Sequence, residues 1–259
     1  MTIIVTNDNN VCTADACNSS TGIVTHTQVN SDDGISCTID GCNSITGIYH
    51  NLNAEICGNG IDDNCNGFTD ENCSVTLQLK LFINGFYKGG GLMNATVDPI
   101  NLPNICDTLI VELRNNSFPF SVNYTDTSIL DISGNASFNF PQSQGHSYFL
   151  AVHHRNSLET WSAFPVLFNA QTINYSFADS IGKAYGNNLK NLGDGNFALF
   201  NGDVDQNGEI NTSDFTRIEN QLEAFGTGYL KEDISGDAIV ESTDFCLFEN
   251  NIGKTRLYP

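Results

Sequence analysis

The sequence predicts a mainly β protein in three parts. Disulfide-rich repeats span 1–73, a two-sheet β-sandwich spans 74–200, and a small α domain of duplicated loop–helix units spans 201–259. Three observations predict this. Cysteines crowd the first part, at Cys12, Cys17, Cys37, Cys42, Cys57, Cys65 and Cys73, leaving Cys106 and Cys246 apart. Short alternating apolar runs fill the middle, separated by Gly, Asn, Pro, Ser and Asp. An acidic loop pattern begins at Asp203 and again at Asp233, each time followed by apolar residues at helical spacing.

The first part holds an internal repeat. VCTADACNSSTGIVTHT and SCTIDGCNSITGIYHN align at a period of 25, which superposes Cys12 on Cys37, Asp15 on Asp40, Cys17 on Cys42 and Thr21-Gly22 on Thr46-Gly47. Neither unit has enough apolar residues for a core, so disulfides must substitute for one. Such a framework belongs to an oxidising compartment. Zinc is the rival reading, but the spacing is C-x4-C and no His sits at ligand spacing. Seven cysteines is an odd number, so one thiol pairs elsewhere or stays free, and spacing alone does not fix the connectivity. The units resemble the short cysteine-rich repeats of slime-mould matrix proteins and of long bacterial surface proteins, which act as spacers. A third cysteine often found after the Thr-Gly is replaced here by Ile23 and Ile48.

This part closes with EICGNGIDDNCNGFTDENC. Oxygen ligands on alternate residues suit a hard cation, because a loop can wrap the ion with those side chains inward. Asp62, Asn64 and Asn66 then take loop positions 1, 3 and 5, Gly67 the sharp turn, Phe68 a carbonyl, and Asp70 with Glu71 late carboxylates. The alternative is a disulfide-tied Asn/Gly turn without an ion. The segment also resembles a metal-binding motif of secreted bacterial proteins, in which D-x-x-C-x-G-x-x-D-E follows E-I-C.

From Val75 to about Phe177 the runs VTLQLKLFI, LIVELR, PFSVNY, ASFNF, SYFLAVHH, PVLFNA and TINYSF read as strands of an Ig-like sandwich. The glycines at 89–91 read as a bulge or wide turn. His153, His154, Arg155 and Glu159 sit together, but adjacent residues of a strand point to opposite faces, so the two histidines serve structure. Trp161 is expected in the core rather than under a sugar ring.

In the third part Asp203, Asp205, Asn207, Gly208, Glu209, Asn211 and Asp214 occupy positions 1, 3, 5, 6, 7, 9 and 12 of a calcium loop. Asp233, Ser235, Asp237, Ile239, Glu241 and Asp244 repeat the pattern thirty residues on (203 to 233), with Ala238 in place of the turn glycine. Alanine there is strained if φ must be positive, so the second loop is expected to bind more weakly. Phe215, Ile218 and Leu222 follow the first loop, and Phe245, Phe248 and Ile252 the second, at the spacing of a helix face. These two faces are expected to pack together across a pseudo-twofold.

A duplicated loop–helix unit with Asp closing each loop resembles the type I dockerin module. The loop patterns predict two structural Ca2+ ions here and a third near Asn66, and the resemblance implies a cohesin-type partner contacted through Thr212, Ser213, Ser242 and Thr243. The short segment between the loops and Ala238 depart from it. The longer stretch from GFYKGGGLM through DTLIVELRN, AVHHRNSLETWSA and KAYGNNLK resembles C-terminal regions of large secreted proteins of the Bacteroidota. It implies export and display on a bacterial cell surface.

Charge and hydropathy bound the function. Thirty Asp and Glu against ten Lys and Arg give a net charge of −20, which argues against nucleic acid or anionic lipid as partner. No run approaches the roughly 18 apolar residues of a membrane span. MTIIVTNDNN carries too short an apolar run for a signal peptide, so a piece of a longer secreted chain is expected. The sequence thus predicts a calcium-stabilised extracellular structural or adhesion module, not an enzyme. A cohesin-binding dockerin and a self-assembling filament subunit are the alternatives.

Overall fold

The computed structural model describes residues 5–71, 73–141 and 143–259. The chain divides into two compact units, 1–72 and 73–259.

In the first unit each repeat is an antiparallel hairpin. Strands β1 (Thr13–Cys17) and β2 (Val24–Gln28) form one, and β3 (Thr38–Asn43) and β4 (Gly47–Leu52) the other. Few of their side chains are buried, so covalent links do the work of a core. Cys12 bonds to Cys42 and Cys37 to Cys65, and Cys57 and Cys73 are also disulfide-bonded. Of the seven cysteines here, an odd number from which one thiol had to pair elsewhere or stay free, Cys17 is an exposed thiol. It lies at the far end of β1 from Cys12, and four or five residues of strand, about 3.3 Å each, put the two well beyond the roughly 7 Å limit for Cα atoms of a disulfide.

The second unit opens with the sandwich. Its strands are β5 (Val75–Lys80), β6 (Tyr87–Gly89), β7 (Leu92–Met93), β8 (Ile105–Asn115), β9 (Val122–Asp131), β10 (Asn135–Phe140), β11 (Ser147–His154), β12 (Ser157–Trp161), β13 (Val166–Leu167) and β14 (Thr172–Ser176). One sheet has the order β10-β5-β14, with β14 parallel to β5, and the other the order β12-β11-β8-β9, with β13 also on β11. Alternate residues of each strand face the shared core: Val75, Leu77 and Leu79 with Ala136, Phe138 and Phe140 from one sheet, and Leu109, Val111, Leu113, Leu150 and Val152 from the other. Strand β11 is buried on both faces, because Phe149 and Ala151 pack outward against Trp161. That explains its continuous apolar run. The glycines at 89–91 turn the small β6–β7 hairpin, where the register shifts.

One short strand pair and two α-helices follow: β15 (Lys190–Asn191) pairs with β16 (Phe197–Ala198), and α1 (Thr212–Glu223) and α2 (Ser242–Glu249) come after. Neither helix is long or apolar enough to cross a membrane. The tail core is built from pairs thirty residues apart, Val204 with Ile234, Ile210 with Val240 and Ile218 with Phe248. Leu158 and Phe200 of the preceding part join the same cluster, so sandwich and tail share one compact unit. Phe215 meets Phe245 and Phe248 at ring distances of 5.4 and 5.8 Å. Leu222 and Ile252, expected on the same faces, are exposed. Leu222 lies in the last turn of α1, and Ile252 lies past the end of α2.

Candidate functional site

Both helices start where an acidic loop ends, and the loop residues themselves cap them. Asn211 accepts the Ser213 amide at 2.8 Å, while Asp214 Oδ2 accepts the Asn211 amide at 3.0 Å, closing a capping box. Asp244 Oδ2 accepts the Glu241 amide at 2.8 Å in the same way.

Within the first loop Asp203 receives the amides of Asn207 and Gly208, each at 3.1 Å, and Asp205 Oδ1 receives Asn207 at 3.1 Å. Asn207 in turn accepts Glu209 at 2.9 Å. This successive folding of side chains onto amides two to five residues ahead coils the loop around one point. Carboxylate oxygens of Asp203, Asp205 and Asp214 consequently lie within 4.8 Å of one another. Asp203 and Asp214 are buried, and among the described residues neither forms an ion pair. Burial, then the charges of Asp214 and Asp205, push the Asp203 carboxyl up to about 6, and burial raises Asp214 as well. Clustered, buried acids short of counter-charge and an all-oxygen donor set fit a hard divalent cation.

The second loop repeats the wrapping. Asp233 accepts Gly236, Asp237 and Ala238 at 2.7, 3.3 and 2.9 Å, and Asp237 accepts Ile239 at 3.0 Å. Burial raises the carboxyls of both Asp233 and Asp244. Position 3 is Ser235, whose hydroxyl donates to Asp233 at 3.1 Å, so this loop carries one carboxylate fewer there. Ala238 has φ 71°, matching the sign of Gly208 at 89°, so the alanine stands in the left-handed region as feared from its identity.

The two loops are strapped crosswise. After α1 the chain pairs with the second loop, Thr227 opposite Ile239, with Val240 donating to Gly226 at 2.9 Å. After α2 it pairs with the first, Thr255 opposite Glu209, with Arg256 donating to Gly208 at 2.7 Å. Thr212, Ser213, Ser242 and Thr243 are exposed at the two helix N-termini. Ser213 is tied into the first loop through Asp205 Oδ2 at 2.6 Å. Beside them a shallow groove of about 330 Å³ is lined by Phe215, Ile218, Glu219, Leu222, Ser242 and Phe245.

The loop in the first unit wraps like the others. Asp62 accepts Asn66 at 3.1 Å and Gly67 at 2.9 Å, and Asn66 accepts Phe68 at 2.9 Å. Glu71 joins it by accepting the side-chain amides of Asn64 and Asn66, both at 2.5 Å. Asp70 leaves it, turning instead to Gly58 and Gly60 at 2.8 and 3.0 Å, and Phe68 is exposed. Sequence reasoning missed Glu55, which accepts the Asn64 amide at 3.0 Å. Its other oxygen, like one of Glu71, is buried without a hydrogen-bond partner. Glu55 stands ahead of the loop pattern, so spacing gave no signal for it.

Two further clusters went unread. His26 Nδ1 lies 2.6 Å from Asp15 and 3.5 Å from Asp8, and His50 Nδ1 lies 2.7 Å from Asp40 and 3.4 Å from Asp33. The near-common offset of these residues in the two units was the available signal. In the sandwich, His153 and His154 do point apart: His153 approaches Glu112 at 3.2 Å, while His154 is buried between Ser157 at 2.9 Å and Asp107 at 3.2 Å. This Ser–His–Asp grouping is buried throughout. Its Asp107 already accepts Thr96, Arg155 and Tyr229 at 3.0, 2.8 and 2.5 Å. Burial alone would raise the Asp107 carboxyl, but His154, Arg155 and Tyr229 together hold it far below the usual range. Arg155 also donates to the Leu230 carbonyl, so the cluster ties the sandwich to the segment that leads into the second loop.

A family model described as the Dictyostelium (slime mold) repeat matches residues 6–29 and 31–51, the two hairpin units. No curated protein matches the chain. Among solved structures, two interface mutants of a type II cohesin–X–dockerin complex from Acetivibrio cellulolyticus are similar at 16% and 17% identity. Each comparison covers 70% of this chain and 97% of the other, with a TM-score of 0.44.

Proposed function

We propose that this chain is a non-catalytic, calcium-stabilised extracellular structural module whose loop–helix tail serves as a docking element. The observation that carries the reading is the convergence of the Asp203, Asp205 and Asp214 carboxylates, two of them buried and pushed toward protonation. In the proposal Ca2+ neutralises them. Asp203, Asp205, Asn207, Glu209 (through its carbonyl), Asn211 and Asp214 hold one ion. Asp233, Ser235, Asp237, Ile239 (carbonyl), Glu241 and Asp244 hold a second. A third ion would sit at Asp62, Asn64 and Asn66 with Glu71 and Glu55. Extracellular calcium modules bind at about 10⁻⁴ to 10⁻³ M, where the ion is constantly present, so its role here is structural rather than signalling.

The disulfides favour an oxidising, extracellular setting, and the tandem hairpins suit a spacer on a cell surface. The exposed groove between α1 and α2, flanked by Thr212, Ser213, Ser242 and Thr243, favours a protein partner of the cohesin kind or a second copy.

Calcium titration calorimetry on the intact chain tests the metal, with melting in calcium and in chelator beside it. Binding to the native state raises the melting point by mass action. An unchanged melt together with no heat of binding would falsify the calcium reading. Capture by cohesin-type domains in calcium but not in chelator supports docking to a scaffold. Calcium-dependent self-association in sedimentation supports filament assembly instead.

A further inference from the structure

Both disulfides of the repeats with known partners follow one rule. The leading cysteine of the first unit, Cys12, bonds forward to the trailing cysteine of the second, Cys42, across 30 residues. Cys37, the leading cysteine of that second unit, bonds forward again to Cys65, across 28. A unit cannot close its own C-x4-C pair, because the strand between the two cysteines holds them too far apart. Each trailing cysteine is therefore served from another unit. Cys17 is the trailing cysteine of the first unit, and it is an exposed thiol.

A second observation concerns the turn beside it. Next to Cys42 the second unit's turn is covered by the first: Val11 donates its amide to Ser44 O at 3.1 Å, and its side chain lies 3.9 Å from where a Cβ on Gly47 would stand. One period earlier are Ser19 (44 − 25) and Gly22 (47 − 25). Among the described residues nothing lies within 4 Å of the corresponding point on Gly22, and no main-chain amide reaches Ser19 O. Cys17 thus carries both halves of an open joint, the thiol and the uncovered turn, whose closed form is on view at Cys42.

We propose that Cys17 is the acceptor of an inter-unit disulfide from the leading cysteine of a further unit of this same C-x4-C repeat, so that the units chain covalently head to tail. A unit one period upstream would have its leading cysteine 30 residues from Cys17 (17 − 12 + 25), the separation of Cys12 and Cys42. A second copy of the chain does not offer this partner, since its leading cysteines Cys12 and Cys37 are already bonded. Bond formation needs a disulfide oxidant such as oxidised glutathione. The Cys17 thiolate attacks it and expels one glutathione thiolate. The incoming leading thiolate then attacks the mixed disulfide and expels the second. Two protein thiols lose two protons and two electrons, and one glutathione disulfide becomes two thiols.

The test uses the intact chain in a glutathione redox buffer with a peptide of residues 6–30. In one form the peptide keeps only its leading cysteine (Cys17→Ser), in the other only its trailing one (Cys12→Ser). Non-reducing peptide mapping by mass spectrometry reads the bonds. The expected result is the leading peptide on Cys17, favoured on the order of tenfold over the trailing peptide and over attachment at Cys246, the other exposed thiol. A chain extended by a duplicate of residues 6–30 ahead of Thr6 gives the same reading without relying on a peptide to fold. There the duplicate's leading cysteine should take Cys17 and leave the duplicate's trailing cysteine free. Equal reaction of the two peptides combined with a free Cys17 in the extended chain overturns the proposal. So do Cys17–Cys17 dimers as the main product, or a map lacking the Cys12–Cys42 bond.

Discussion

The side-chain amide of Asn156, in the turn between β11 and β12, donates to the main-chain carbonyl of Asp233 at 3.1 Å, and Asp233 is the first residue of the second acidic loop. The same amide reaches Lys231 O at 3.1 Å, while Asn201 and Asn94 hold the Ile234 and Ser235 carbonyls at 2.5 and 3.0 Å. A loop whose backbone is pinned by three asparagines from outside it, Asn94, Asn156 and Asn201, is arranged before any ion arrives. Its loss must be felt on both sides.

Asn156→Ala is therefore expected to destabilise the whole of 73–259, by about 1–3 kcal/mol for the buried carbonyls left unpaired. Chelator should lower the unfolding of sandwich and tail together. Tryptophan fluorescence of Trp161, buried in the sandwich, follows one part, and the helical signal of α1 and α2 follows the other. Two separated transitions in chelator, with Trp161 unmoved, would show that the tail unfolds alone.

Ala238→Gly should stabilise the second loop. Holding an L-residue in the left-handed region costs about 1–2 kcal/mol, and glycine removes that cost while its own flexibility returns part of it. The expected outcome is a melting point raised by a few degrees and tighter calcium binding at a single site in calorimetry. Gly208→Ala, at φ 89°, should do the reverse at the first loop. Equal affinities for native chain and Ala238→Gly would mean that the surrounding contacts already relax the strain.

Gly85→Ala tests the close approach on the other side of that loop. A Cβ on Gly85 would collide with the Ile234 carbonyl and the Asn201 side chain, both fixed inside the unit. Overpacking of this kind costs about 1–3 kcal/mol. Urea denaturation should show the loss, together with weakened calcium binding at the second loop only. A variant as stable as the native chain would place the loop further from the sandwich than described.

Such couplings mark the limit of what was legible in the sequence. The wrapping of each loop was readable because it is local: Asp203, Asp205, Asn207 and Asp214 act within a dozen residues, and alternation alone orients them inward. The strands were readable wherever one face met solvent, as in β5 and β10. Strand β12 was not, because Ser157–Trp161 is buried on both faces and its charged neighbours suggested a polar cluster. Tyr229 reaches Asp107 across 122 residues, and Asn156 reaches Asp233 across 77. Nothing in the local pattern of either partner encodes the other. The same holds for Leu158 and Phe200, which join the core that the helix faces alone were expected to make.

The repeat hairpins should be pH-sensitive through their histidines. The hydrogen bond that His26 donates to Asp15 raises the His26 pKa above 6.5 against a smaller opposing effect of desolvation, and Asp8 and Asp15 add attraction. Asp40 and then Asp33 do the same for His50. A group whose folded pKa exceeds its unfolded one contributes fully below the unfolded value, about 6.5, and loses that contribution as pH rises through the folded value. On the acid side Asp8 is held below 3.8 chiefly by the Asn10 amide, and Asp40 chiefly by its bond to His50. Their contribution is present above about 3.8 and fades as pH falls through the lowered values. The first unit is thus expected to be firmest between about pH 4 and 6.5 and to loosen toward pH 9. Imidazole titration by NMR should give both histidines midpoints above 6.5. Residue-resolved denaturant midpoints for 13–52 should fall between pH 6 and pH 9 in the native chain and stay level in a His26→Gln/His50→Gln variant. A fall of equal size in both would assign the pH response to other groups.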